Sequence, residues 1–387
     1  MRLRFAVRRL ANIDNSNTMS RMNHAVSTQQ QHDVNHGVTL WPSVLGKIGK
    51  HQELNSDDVA FAMNSIMSGE ASDVQAASFA FGLFAKGITP TELETAATIM
   101  LSFARDVADP EVIDAVARGG IDIVGTGGDG AHTVNISTMS AVVVAAAGIP
   151  VIKHGNRAAS SKSGGADMLE ALGLDLEQGS ITAPQRPDFF LKFLFAAAYH
   201  PAMRFAAPFR KELQVPTLFN LLGPVTNPAQ PSAALVGCAF ADQLETMAGA
   251  FAQRRQRALI VRGYDGLDEI TVADKTDCFA VADGAVLRFD IDPQRLGFEL
   301  SDADSLRGGD PVFNAEIARQ LWSGQLTGPV RDAVVLNAGA AIAVGRGWGS
   351  KLTESAIYAA LTKGVAEAEQ IIASGLCLEI VESALKH

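Results

Sequence analysis

From residue 121 onward the chain alternates short β-branched runs with segments of helical periodicity, and this alternation narrows the available folds more than any other feature. Candidate strands are 121–124, 151–153, 233–236, 259–262 and 278–281, with helical segments such as 139–147, 168–172 and 242–256 between them. Strands joined by helices cannot pair as hairpins, so the expected fold class is α/β, with a mainly parallel central sheet flanked by helices. In such sheets ligands bind at the carboxyl edge. Residues 41–112 carry helical patterning alone. Ser56-Asp-Asp and Ser72-Asp open helices, Gly69 and Gly87 close them, and Thr89-Pro90-Thr91-Glu92 forms a capping box with proline at the first helical position. The expected organisation is therefore a small helical N-terminal domain over 41–112, which helices around 200–222 could complete, and a larger α/β domain over 118–387. From residue 314 the chain is again mostly helical, and Ala338-Gly-Ala-Ala341 permits close packing.

A chain of 387 residues can bury a sizeable core. Its net charge of −10 argues against broad nucleic-acid binding, which needs a basic surface to displace counterions. Cys238, Cys278 and Cys377 lack the paired spacing of a zinc site and fit a reducing cytoplasm. No apolar run is long enough to read as a membrane span. The first 40 residues stand apart: Arg2, Arg4, Arg8 and Arg9 alternate with apolar residues, and 27–36 is rich in Gln, Asn and His. This part weakly resembles an organellar targeting peptide; the preferred reading is a disordered extension, with Met19 or Met22 as alternative starts.

Three polar clusters follow candidate strands or open candidate helices. Gly125-Thr-Gly-Gly-Asp129 matches neither the Gly-Lys-Ser/Thr phosphate loop nor Gly-x-Gly-x-x-Gly, and a glycine cluster alone is as often a plain turn. Asp129, Thr133 and Asn135-Ile-Ser-Thr138 add an acid, hydroxyls and an amide before a helix, a setting suited to phosphate oxygens and a hydrated metal. Lys153-His-Gly-Asn-Arg157, with Ser160 and Ser161, places two cations and several small polar groups after an apolar strand. Charged residues on a loop are ordinarily just solvated, but this combination can grip several phosphate oxygens.

In this order the clusters resemble those of anthranilate phosphoribosyltransferases, over roughly residues 45 to 387. The likeness extends to Ile66-Met-Ser-Gly-Glu-Ala-Ser-Asp73, His200-Pro-Ala-Met-Arg204, Phe219-Asn-Leu-Leu-Gly-Pro-Val-Thr-Asn-Pro228 and Gly266-Leu-Asp-Glu-Ile-Thr271. It implies a reaction in tryptophan biosynthesis: transfer of the phosphoribosyl group of phosphoribosyl pyrophosphate to the anthranilate amine. By resemblance, Gly125, Gly128, Asp129, Thr133, Asn135, Ile136, Ser137, Thr138, Lys153, His154, Gly155, Asn156, Arg157, Ser160 and Ser161 bind phosphoribosyl pyrophosphate. Asp268 and Glu269, with Ser137, resemble the ligands of two magnesium ions; on its own an Asp-Glu pair is more often a solvated loop. Arg210 resembles the residue that pairs with the anthranilate carboxylate, with Gly125, Asn156 and His154 lining the same pocket, although a lone helical arginine is more often a surface ion pair.

An arylamine is neutral at pH 7, so no general base is expected; Lys153 and magnesium would stabilise the leaving pyrophosphate. The resemblance also implies a cytoplasmic homodimer with no nucleic-acid or membrane partner. The sequence departs from the pattern at Gly165, where many relatives carry Ser, and at His132, Val134 and Pro216. Two other readings share the architecture, a pyrimidine nucleoside phosphorylase and a non-catalytic nucleic-acid-binding relative. The Asp268-Glu269 pair and the Lys153–Arg157 cluster favour the transferase over the first, and the acidic balance disfavours the second.

Overall fold

A computed structural model describes residues 39–155, 163–176, 180–183, 186–349 and 351–385. The N-terminal extension and the candidate residues Asn156, Arg157, Ser160 and Ser161 lie outside these ranges.

Four helices open the described chain: Trp41–Ile48, Ser56–Ser68, Asp73–Lys86 and Pro90–Ser102. The second begins at Ser56, but its cap is Asn55: the carboxamide accepts the Asp58 N–H at 2.8 Å while the Asp58 carboxylate accepts the Asn55 N–H. Ser72 with Gln75, and Thr89 with Glu92, form the same reciprocal box. Glu92 has a second role. Fully buried, it also accepts the Leu54 N–H at 2.8 Å and pairs with Lys86 at 3.1 Å, tying three helical segments together.

Among the described residues eight strands make one sheet: β1 (Ile121–Gly125), β2 (Val151–Gly155), β3 (Ile181–Ala183), β4 (Arg186–Phe195), β5 (Ala233–Gly237), β6 (Arg257–Gly263), β7 (Thr276–Ala282) and β8 (Ala285–Ile291). Their order is β3-β4-β2-β1-β5-β6-β7-β8. The central run β4-β2-β1-β5-β6 is parallel, and β3, β7 and β8 join antiparallel at the flanks. The five expected strands are all present; β3, β4 and β8 were not expected. In β4 an apolar run begins at Phe189, two residues after Pro187, which stands near the start of the strand and has no register partner on either side. β8 is an edge strand with exposed alternate residues, a weak apolar signal.

Alternation along the strands sets the two sides of the sheet. Ile121, Ile123, Leu235, Leu259 and Val261 pack with helices Ile136–Ala146 and Pro329–Arg346. Val124, Val236, Ala258 and Ile260 face the other way, into a core shared with Met63, Phe79 and Leu93 of the N-terminal helices and with Phe209, Leu218 and Leu222. The helices Ala207–Leu213 and Leu218–Val225 therefore bridge the N-terminal helices to the sheet. Helix Ile136–Ala146 starts three residues before its expected apolar run at 139, right after Asn135, whose side chain makes no cap hydrogen bond, and the 242–256 segment opens as a 3-10 turn, Ala241–Gln243, before becoming α-helical over Leu244–Gln253.

Candidate active site

Strands β1, β2, β5 and β6 all end in glycine at the carboxyl edge: Gly125, Gly155, Gly237 and Gly263. Gly125 and Gly237 are register partners, and the loop after β6 lies directly over them. A Cβ on Gly237 would fall 1.6 Å from the Asp268 carbonyl oxygen, and one on Gly125 would fall 2.5 Å from Asp268 Oδ2. The absence of side chains there lets Asp268 sit over the sheet edge, where its Oδ2 accepts the Gly127 N–H at 2.8 Å. Asp129 hydrogen-bonds the same carboxyl group from the glycine loop.

Three acids thus crowd one place. Burial and then Asp129 push Asp268 up to about 7. Burial and then Asp268 push Glu269 up to about 8, with Lys153 opposing the rise. Asp268 and Glu269 are only half-buried, so solvent screens part of this repulsion. Lys153 is buried and its ammonium is pushed down by desolvation, with Asp122, Glu269 and Asp268 acting against that. It donates to the Ile123 carbonyl and, at 3.2 Å, to Ser137 Oγ. Ser137 lies in the first turn of helix Ile136–Ala146, and its N–H hydrogen-bonds Glu269. Asp129 and Glu269, 140 positions apart in sequence, therefore meet at one sheet edge. The donors are hard oxygens with negative charge that the protein compensates only in part, a set that fits magnesium. Among the described residues no three His, Cys, Asp or Glu side chains close into a protein-only cage.

These shifts fix a pH dependence for the metal-free protein. The folded-state values of Asp268 and Glu269 lie above their ordinary values of 3.8 and 4.5, so their contribution to stability is fully present below pH ~4 and is lost as pH rises through about 7 and 8. The melting temperature is expected to fall between pH 6 and 9, and magnesium pyrophosphate should recover more of it at pH 9 than at pH 6. Scanning fluorimetry over that range checks this; a melting temperature that rises towards pH 9 would contradict it.

Beneath the site lies a network that the sequence reading missed. Asp122, on β1, is 1 % exposed and pushed up to about 6 by burial, against the pull of Lys153. It accepts Asn227 Nδ2 at 2.9 Å and the His154 N–H at 3.1 Å, and Asn227 also donates to the Ile152 carbonyl. An aspartate inside an otherwise apolar strand was the available signal. His154 is pushed down to about 3 by burial and by His200, whose ring stands edge-on at 5.2 Å. Its Nδ1 lies 3.2 Å from the Gly223 carbonyl; because a carbonyl only accepts, Nδ1 carries the proton and Nε2 is left a bare acceptor without a partner among the described residues.

Arg210 stands apart from the acidic group. It lies on helix Ala207–Leu213, half-buried, with its guanidinium 5.8 Å from the Phe219 ring centroid and no ion pair among the described residues. Phe219 belongs to helix Leu218–Val225, whose Gly223 carbonyl receives His154. A single helix therefore connects the arginine to the His154 end of the site.

The profile described as "Glycosyl transferase family, helical bundle domain" matches residues 42–104, and that described as "Glycosyl transferase family, a/b domain" matches 118–378. The anthranilate phosphoribosyltransferase of Corynebacterium jeikeium is 49% identical over 344 residues, covering 88% of this chain and 91% of its own. The chain belongs to the anthranilate phosphoribosyltransferase family. Its fold matches the crystal structure of the Thermus thermophilus member with a TM-score of 0.74 at 37% identity, over 89% of this chain and 98% of that one. The Saccharomyces cerevisiae member in complex with phosphoribosyl pyrophosphate and magnesium also gives 0.74, at 25% identity, over 89% of this chain and 97% of that one.

Within the family pattern the glycine at 165 has a steric reason. A Cβ there would lie 2.0 Å from Oγ1 of Thr138, a buried hydroxyl without a partner among the described residues. Gly165→Ser is expected to lower the melting temperature by a few degrees, an overpacking cost of about 1–3 kcal/mol, and Thr138→Ala to recover most of the loss. An unchanged melting temperature in the single variant would show that the helix yields without strain.

Proposed function

We propose that this chain joins anthranilate to phosphoribosyl pyrophosphate, giving N-(5-phosphoribosyl)anthranilate and pyrophosphate, in tryptophan biosynthesis. The observation that carries the reading is the meeting of Asp129, Asp268 and Glu269 with Lys153 at the N-terminus of helix Ile136–Ala146. A diphosphate with divalent cations completes the charge balance of that arrangement.

In this reading Ser137, Asp268 and Glu269 hold two magnesium ions, which when bound neutralise the charge building on departing pyrophosphate. The protein's own groups do the rest. Lys153, held by the Ile123 carbonyl and Ser137, is a fixed positive charge that need not reorganise as the diphosphate leaves. Gly125, Gly128, Asp129, Thr133 and 135–138 bind the diphosphate and ribose together with 153–157, Ser160 and Ser161. Arg210 takes the anthranilate carboxylate, while Gly125, His154 and Asn156 line the ring pocket. The amine attacks as it stands, because an arylamine is already neutral and an imidazole held down near 3 carries no positive charge to repel it.

The helices of 41–112 share a core with the helices of 207–225 and with one face of the sheet, and in this reading a small closing movement across that core excludes water from the ribosyl centre. The homodimer forms through the helical unit, where helix Asp73–Lys86 leaves Val74 and Phe81, seven residues apart, exposed. A cytoplasmic location accords with three buried, unpaired cysteines. Among the described residues no helix is long and apolar enough to cross a membrane.

The direct test follows loss of anthranilate fluorescence with phosphoribosyl pyrophosphate and magnesium. Turnover that requires all three components is expected; no loss of fluorescence removes the reading.

A further inference from the structure

The glycine-rich loop is held partly from outside. Its outer half lies against residues 306–309: the Val134 N–H donates to the Leu306 carbonyl at 2.9 Å, the Gly308 N–H donates to the His132 carbonyl at 2.8 Å, and Thr133 bridges Arg307. The approach is tight enough that a Cβ on Gly308 would fall 2.6 Å from the Thr133 carbonyl oxygen. This seam ends in a chain of carboxamides. Asn314, in the first turn of helix Pro311–Trp322, is 1 % exposed; its Nδ2 donates to Asn135 Oδ1 at 2.9 Å and its Oδ1 accepts the Gly309 N–H at 2.9 Å. Asn135 Nδ2 in turn donates to the Ser163 carbonyl at 3.0 Å, and Ser163 Oγ reaches Asn135 Oδ1 at 3.4 Å.

Among the described residues, protein groups occupy both acceptor positions of the Asn135 carboxamide and one of its two donors. Three of the four hydrogen-bonding positions of the side chain serve the tether, leaving one N–H. Besides that N–H, residue 135 offers a diphosphate chiefly the placement of its main chain and of Ser137, two residues on, which touches Lys153.

We propose that Asn314 is a positioning residue for phosphoribosyl pyrophosphate. Resting on the functional reading above, it acts through Asn135 to fix the glycine loop and the first turn of helix Ile136–Ala146, and meets no substrate itself. Helix Pro311–Trp322, 179 residues away in sequence, thereby sets the geometry of the diphosphate site. A merely structural carboxamide would affect both substrates alike. A tether on this loop affects one.

Asn314→Asp tests this because the near-isosteric carboxylate still accepts the Gly309 N–H but turns an acceptor towards Asn135 Oδ1. Calorimetric titration of phosphoribosyl pyrophosphate with magnesium, and steady-state KM for both substrates, should show its affinity weakened about 10-fold and its KM raised alike, with the anthranilate KM within about twofold of wild type. In an Asn135→Ala background the same substitution should add less than about twofold, because the tether is already cut. Gly308→Ala, which presses on the Thr133 carbonyl, should give the same split and serves if the charged variant does not fold. Unchanged binding, parallel changes for both substrates, or full additivity with Asn135→Ala overturns the proposal. Wild-type turnover separates the two claims: an inactive wild type defeats the functional reading, whereas an active wild type with a normal Asn314→Asp defeats only this one.

Discussion

Glu269→Gln is expected to lower turnover by about 10²- to 10³-fold and, in the absence of metal, to raise the melting temperature above wild type by roughly 2–5 °C at pH 8.5. Both effects have one cause. The carboxylate is placed where its charge is disfavoured, by burial first and then by Asp268 and Asp129, and the attraction of Lys153 does not make up the difference. An amide of the same shape still offers an oxygen to the Ser137 N–H and removes the repulsion. Lys153 keeps Asp122 and Asp268 as counter-charges, so little is lost on that side. The gain should vanish near pH 5, where the wild-type carboxyl is already protonated in the folded state. Magnesium pyrophosphate should then stabilise wild type more than the variant. Melting curves at pH 5 and 8.5, with and without magnesium pyrophosphate, and the fluorescence assay together decide it. A variant less stable than wild type at pH 8.5 would mean that the charge is well paired and the strain argument is wrong; full turnover would take Glu269 out of the site.

The same strain explains why some parts of the site could be read from sequence and others could not. β1, β2, β5 and β6 announce themselves as short apolar runs ahead of a glycine, and the capping boxes at Ser72 and Thr89 are local, so their signals survive without tertiary context. The acidic group was legible only as two separate fragments joined by a family likeness. Nothing in Gly125–Asp129 or in Asp268-Glu269 states that a loop after β6 lies over the end of β1; that follows from the strand order and from Gly237, whose missing side chain admits Asp268. Asp122, Asn227, His200 and Asn314 escaped assignment for a related reason. Asp122 and Asn314 are single polar residues in ordinary-looking segments, and His200 and Asn227, although within segments that carry the resemblance, had no role of their own; the meaning of each lies in a partner 32 to 179 positions away, or in the edge-on His154 ring. β4 was missed because Pro187 reads as a breaker when its position at the head of the strand is unknown.

Arg210→Ala should raise the KM for anthranilate about 10- to 100-fold while kcat and the KM for phosphoribosyl pyrophosphate stay within about threefold of wild type. The argument starts from what the guanidinium lacks. It is half-buried, and desolvation pushes its pKa down with no opposing contribution from any acid. Its neighbour is the Phe219 ring, which contributes packing and a weak cation–π attraction at 5.8 Å, but no hydrogen-bond acceptor. A snorkelling arginine would carry its head into water or onto a surface acid, as Arg295 does onto Glu354. Arg210 pairs with no acid among the described residues. An arriving carboxylate would supply a charge-assisted, two-pronged pair of about 1.5–3 kcal/mol, which is the predicted change in KM. Lysine cannot reproduce the planar fork, so Arg210→Lys should fall between the two. Aniline, which lacks the carboxylate, provides the control: as nucleophile it should react poorly but equally with wild type and Arg210→Ala. If the penalty persists with aniline, Arg210 shapes the pocket rather than binding the acid; if the anthranilate KM does not move at all, the arginine lies outside the substrate's reach.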